Sequence, residues 1–347
     1  MHQTNRYEIN IIGFVSKNLS TTKGIDFYPA FSMKRKSLKR LLASFKLLWL
    51  FFKIKPDLII CTTYETLPAA LLYKRTRPGC KMIYDVQENY ALNVISNGKN
   101  SRKSKWFASI IRWLEYQSQA HVSLNMLAES VYAKEVKYFS NYIVLLNKVK
   151  KTKHLDRVSF PVKLNINRLK IVFSGTISLD YGVLQSIHLV NELVKIYPET
   201  TATFIGHVPE ENLLTKLVSI QDKHLNFLVD AYPVSHEHIW QEIEKADLGI
   251  VAHQPTVSIR NCFPTRIYEY MALGKPFLVQ DHPLWTDYCQ RWDCCIAVDF
   301  NQFNIQRIAQ QITKRTFYKK GIPDDIYWEQ EEGKLLKAIN HIFYTKH

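Results

Sequence analysis

Apolar residues along this chain fall into short β-branched runs separated by amphipathic stretches. Tyr7–Phe14 (YEINIIGF) reads as a buried strand. Over 36–54, Leu38, Leu41, Leu42, Phe45, Leu48, Trp49 and Phe52 recur at helical spacing, and Pro56 ends that helix. Strands are predicted over 57–61, 81–85, 121–124 and 142–146, with helices over 66–74, 106–120 and 127–139. Residues 147–168 break the rhythm: they are basic, polar and aperiodic, and read as a linker. The alternation then restarts, with strands over 169–173, 201–205, 225–228, 248–251, 277–279 and 296–298 and a helix over 183–196. Strand–helix alternation predicts parallel sheets covered on both faces. The expected fold class is α/β, in two units: an N-terminal domain over 1–155 and a C-terminal domain over 165–325. A helix at about 326–345 is free to pack back on the first domain.

Charge divides the chain as sharply as the linker does. The first 150 residues hold 24 Lys and Arg against 9 Asp and Glu; the remaining 197 hold 22 of each. The whole net charge of +15 therefore lies in the N-terminal half. Such a half suits an anionic partner there, or it serves solubility alone. Six cysteines without a C-x-x-C pair argue against a zinc ribbon and for a reducing compartment. The polar first ten residues do not resemble a signal peptide, and no apolar run approaches the ~20 residues of a spanning helix.

The segment 246–280 (ADLGIVAHQPTVSIRNCFPTRIYEYMALGKPFLVQ) is richest in chemistry. A strand enters a long loop that ends at Pro264, expected at the first helical position, and the helix is expected to stop at Gly274. The free N–H groups of its first turn, around Pro264 and Thr265, form an anion site. Arg266 stands where a cation is locally unfavourable unless an anion binds; otherwise it pairs with Glu269 on a solvated face. Glu269 is placed to accept hydrogen bonds from a vicinal diol such as ribose, or is surface charge. In 171–182 (IVFSGTISLDYG), Ser174, Gly175 and Thr176 admit close approach of a ligand to the backbone, although an ordinary turn explains them equally well.

FSGTISLDYG (173–182), FIGH (204–207), AYPVSHEHI (231–239), ADLGIV (246–251) and PTRIYEYMALGKP (264–276) together resemble the family-4, retaining glycosyltransferases of GT-B fold. In the N-terminal half, PDLIICTTYE (56–65), YDVQENY (84–90) and LLNKVK (145–150) are similar to that family's strand ends. The resemblance implies two Rossmann-like doubly wound domains facing a cleft, the first for the acceptor and the second for a nucleotide-sugar donor. It implies that Glu269, the second glutamate of an E-x7-E motif, holds the donor's ribose, with Asn261 at the first glutamate's place. Thr176 and Tyr181 occupy the places of the family's Arg and Lys clamp, so Arg266, with Arg260, is the expected replacement. His207, Val234 and Ser235 sit where the family packs the nucleobase. Asp85 and Glu88 are expected to orient the acceptor, although capping and turn bonding explain these two as well; Gln87 stands where a cleft histidine is common.

The resemblance further implies sugar transfer with retained configuration and no covalent nucleophile; a metal needs clustered carboxylates and no D-x-D is present, so none is expected. The leaving diphosphate would then be stabilised by a helix N-terminus and Arg266. No cofactor is expected beyond the nucleotide-sugar co-substrate. The acceptor is expected to be a glycan or a lipid-phosphate-linked glycan in surface polysaccharide assembly. The protein is expected in the cytoplasm, at the inner membrane face, held by Lys34, Arg35, Lys36, Lys39, Arg40 and the apolar residues after them. The competing reading packs most of those apolar residues on their own sheet. An epimerase or hydrolase on the same fold, an inactive homologue and, less favoured, a nucleic-acid binder remain alternatives. Finally, 1–5 reads as the tail of a helix and 7–14 as a second strand. The N-terminal domain is therefore expected to lack its first βα unit and its middle strand, some 20–35 residues.

Overall fold

The computed structural model describes residues 7–14, 24–31, 43–98, 100–151 and 159–344. The chain divides into two compact units, residues 1–146 with 331–347, and residues 147–330.

The second unit is built on a six-stranded parallel sheet. In chain order its strands are β7 (Lys170–Thr176), β8 (Thr201–His207), β9 (Leu225–Asp230), β10 (Leu248–Val251), β11 (Phe277–Gln280) and β12 (Cys295–Val298). Their spatial order is β12-β11-β10-β7-β8-β9, the doubly wound order that reverses between β7 and β10. Each strand but the last is joined to its successor by a helix: α6 (Val183–Ile196), α7 (Glu211–Val218), α8 (His236–Lys245), α9 (Thr265–Ala272) and α10 (Pro283–Gln290) in turn. α11 (Ile305–Lys314) follows β12. β10 and β11 are buried at every position, as expected of central parallel strands with helices on both faces.

The first unit holds two sheets. β1 (Ile9–Phe14) pairs in parallel with β2 (Ile25–Phe31), an element that the apolar pattern did not suggest. The second sheet has the order β3-β4-β5-β6, from β3 (Leu58–Cys61), β4 (Lys81–Val86), β5 (Leu124–Leu127) and β6 (Tyr142–Val144). Among the described residues β1 does not pair with β3. Residues 1–5, expected as a helix tail, and the basic cluster 34–40 lie outside the described residues.

Helices α1 (Ala43–Ile54), α2 (Leu67–Thr76), α3 (Tyr90–Asn97), α4 (Arg102–Ser118) and α5 (Val131–Glu135) belong to this unit. Two expectations are corrected here. The strand expected over 121–124 is shifted to β5, whose four residues are all buried, because the chain first turns at 120–121. The helix expected over 127–139 shrinks to α5, because Leu127 is consumed by the strand. The last helix, α12 (Trp328–Tyr344), runs from the second unit into the first, where the Tyr7 hydroxyl donates to Asn340 Oδ1 at 3.3 Å.

Candidate functional site

The order reversal between β7 and β10 opens a crevice at the strands' carboxyl ends, where open α/β sheets bind ligands. β7 delivers Gly175 there at φ 91°, a left-handed conformation that favours glycine. Gly175 pairs across the ladder with Gly206, on which a Cβ would run into the Gly175 carbonyl. A Cβ on Gly175 would stand 3.1 Å from Arg266 Nη2. The guanidinium therefore lies directly over the bare backbone near the carboxyl end of β7.

Arg266 is in the first turn of α9 and only 6 % exposed. Its Nη2 donates to the Thr176 carbonyl at 2.9 Å, and its plane packs 4.7 Å from the Phe173 ring and 5.6 Å from Tyr181. Its Nη1 is buried without a hydrogen-bond partner. Burial lowers its pKa, against the pull of Tyr270 and Glu269. The alternative of a solvated Arg266–Glu269 pair is thus excluded: Glu269 Oε1 instead faces His236 Nε2 of α8 at 3.4 Å. That nitrogen also accepts from the Trp240 indole at 2.9 Å. One nitrogen cannot do both, so the neutral ring takes the indole and the imidazolium takes Glu269. The hydrogen bond to Glu269 raises the pKa of His236.

Beyond Arg266 the packing continues as a column. Tyr181 packs at a tilt against His253, their ring centres 4.4 Å apart; His253 meets Trp285 edge-on at 6.0 Å; Trp285 carries His282 at 4.5 Å. His253 is 6 % exposed and its Nδ1 has no partner, nor has Nδ1 of His282. Burial, reinforced by Arg266, holds His253 well below its ordinary value, so the ring is neutral. The column thus presents three buried nitrogens without partners, on one cation and two imidazoles. Each costs stability when dry and unbonded.

The other expected residues are distributed unevenly. Thr176 contributes its carbonyl, and His207 ends β8 opposite it. Ser174 is corrected: its fully buried hydroxyl faces the core, 3.1 Å from the Tyr270 hydroxyl, because strand alternation turns it inward. Pro264 is the N-cap and not the first helical residue; its ψ of 119° is extended, and Thr265 begins the helix. Gly274, at φ 61°, follows the last turn as expected. Asn261 and Arg260 lie exposed in the loop before α9, which Trp285 pins by donating its indole N–H to the Cys262 carbonyl at 2.8 Å. Val234 is half-buried, and Ser235 caps α8 by accepting from the His238 amide at 3.3 Å.

In the first unit, Gln87 donates to Asp85 at 3.0 Å and Asn93 to Glu88 at 2.8 Å, at the carboxyl end of β4. Burial raises the pKa of Asp85. Among the described residues no three His, Cys, Asp or Glu side chains group to hold a metal ion. His253, Trp285 and His282 went unnoticed in the sequence. Their signal was available, since His253 and His282 each stand two positions beyond the end of a buried strand.

No family model matches this sequence, and no curated protein is similar to it in sequence. Solved structures are similar in fold. Sucrose-phosphate synthase from Thermosynechococcus elongatus matches with a TM-score of 0.65 at 12% identity, over 99% of this chain and 90% of that one. The catalytic domain of starch synthase IV from Arabidopsis thaliana, bound to ADP and acarbose, matches with a TM-score of 0.60 at 12% identity, over 89% and 78%. A Listeria monocytogenes protein described as a UDP-N-acetylglucosamine 2-epimerase matches with a TM-score of 0.55 at 11% identity, over 93% and 84%. The chain thus has the fold of the GT-B glycosyltransferases, in two Rossmann-like units.

Proposed function

We propose that this protein is a glycosyltransferase that moves a sugar from a nucleoside-diphosphate sugar to a glycan or lipid-phosphate-linked acceptor. The observation that carries the reading is the buried Arg266 guanidinium, its Nη1 unpartnered, lying against Gly175 near the carboxyl end of β7. A departing diphosphate develops negative charge, and a preorganised, dry cation at a helix N-terminus stabilises it strongly. Similarity in fold to a sucrose-phosphate synthase and to a starch synthase that binds ADP supports the same reading.

In this mechanism Arg266 and the first-turn amides of α9 hold the diphosphate, with His253 and Tyr181 beside it. Glu269 binds the ribose hydroxyls once His236 releases it, and His207, Val234 and Ser235 border the base. Asn261 reaches the donor sugar. The acceptor attacks on the face that the diphosphate leaves, so the configuration is retained without a covalent intermediate. Asp85, Gln87 and Glu88 orient the acceptor.

The epimerase-like neighbour favours a second reading, in which the donor is converted without an acceptor. Product analysis separates the two. The protein incubated with a panel of nucleotide sugars and an extract of lipid-linked glycans is expected to release nucleoside diphosphate only when the extract is present. EDTA is expected to leave that release intact, and NMR to show an unchanged anomeric configuration in the product. Release or epimerisation without any acceptor would favour the second reading, and loss on chelation restored by Mg²⁺ would overturn the role given to Arg266.

A further inference from the structure

α1, α2 and α4 of the first unit pack side by side in chain order, α2 in the middle. The outer face of this layer is aromatic. On α1, Phe45, Trp49 and Phe52 recur at helical spacing and are 72 %, 60 % and 44 % exposed, while Leu47, Leu50 and Phe51 turn inward. On α4, Trp106 and Trp113 stand two turns apart, 68 % and 59 % exposed, with Tyr116 beside them. The opposite stripe of α4, through Ser104, Ala108, Ile111, Glu115 and Ser118, is buried. Six exposed aromatic rings would normally be core material; on one helical layer they form a patch.

The exposed charges on the three helices have one sign. The three helices contain eight Lys and Arg and a single acid, Glu115. That acid is turned inward, accepting from the hydroxyls of Tyr84 at 2.7 Å and Tyr138 at 2.6 Å. Lys46 and Lys53 on α1, Arg75 on α2 and Arg102, Lys103, Lys105 and Arg112 on α4 are exposed. Lys53 packs its ammonium 5.6 Å from the Trp49 ring.

We propose that this three-helix face is a docking surface for an anionic lipid bilayer, with the tryptophans at headgroup depth and the basic side chains on lipid phosphates. Exposed tryptophans flanked by Lys and Arg on one helical face have the composition of an interfacial element. A second copy of this chain is disfavoured, because two such faces repel each other. A single-stranded nucleic acid is disfavoured because the rings line the outer side of a helix layer and not a charged groove. The surface lies on α1, α2 and α4, and does not depend on the basic cluster 34–40. It deepens the acceptor side of the reading above, since a face held on a membrane meets acceptors carried on lipid phosphate.

The test is cosedimentation of the full chain with phosphatidylglycerol–phosphatidylcholine vesicles, with pure phosphatidylcholine and RNA as comparisons, in the absence of nucleotide. Binding to the anionic vesicles is expected at low salt, falling at least about tenfold at high salt as screening removes the lipid attraction. The triple variant Trp49→Ser/Trp106→Ser/Trp113→Ser is expected to bind at least about tenfold more weakly, as is Lys46→Glu/Lys53→Glu/Lys103→Glu/Lys105→Glu. Both are expected to melt as wild type, because the altered side chains are exposed. No binding, equal binding to neutral vesicles, or binding untouched by both variants would overturn the proposal. So would RNA retention that vesicles do not displace, or self-association that the tryptophan variant abolishes. A dead donor site leaves vesicle binding intact, so failure here and failure of the transferase reading are told apart.

Discussion

Arg266 shows how a residue that costs stability can mark a site. A buried guanidinium with Nη1 unbonded is paid for elsewhere in the fold. Arg266→Met keeps the packing on Phe173 and Tyr181 and removes the charge. The variant is therefore expected to unfold at the wild-type temperature or higher, by up to about 1–3 kcal/mol, although it loses the bond to Thr176. Thermal melts of the ligand-free proteins check this, and a clearly lower midpoint would mean that the guanidinium is structural. His253 gives a second residue-scale expectation. Its folded pKa lies well below the ordinary 6.5, so the unfolded chain binds more protons between the two values. Its contribution to stability is full above 6.5 and lost as pH falls from there through the folded value. Melting temperatures measured downward from neutral pH are expected to fall more gently in His253→Gln than in wild type. Equal slopes would place the acid sensitivity elsewhere, and His236 cannot mimic the effect, because its raised pKa acts with the opposite sign.

At the scale of elements, the carboxyl ends of β7 and β8 approach closely through two glycines, Gly175 and Gly206, facing each other across the ladder. Gly206 is at φ 148°, and an added Cβ would strike the Gly175 carbonyl, which is backbone and cannot step aside. Gly206→Ala is expected to cost about 2–4 kcal/mol, read by urea unfolding; a change within error would show that β8 shifts freely. Most elements of the second unit were legible in the sequence, α6 and β10 to the residue, because central parallel strands are continuous apolar runs. β2 was not, since Ile25–Phe31 carries Asp26 and Pro29 and lacks such a run. The site was legible in part. Arg266 and Glu269 stood out by their position on α9, whereas the column Tyr181–His253–Trp285–His282 joins three separate stretches of chain and exists only once β7, β10 and β11 are adjacent.

For the whole molecule, the charge asymmetry read from composition becomes a surface: a basic, aromatic helix layer in the first unit, while the second unit carries the buried Arg266 guanidinium with Nη1 unbonded. Among the described residues the first unit has two separate sheets, one of β1 and β2 and one of β3 to β6. The donor reading rests on the second unit and is tested most directly by calorimetric titration of the full chain with UDP, ADP and GDP. One of these is expected to bind saturably to wild type, and Arg266→Met, folded by the same melts, to lose roughly 10–100-fold in affinity for it. If none of the three binds, or if Arg266→Met binds as tightly as wild type, the crevice between β7 and β10 is not a nucleoside-diphosphate site.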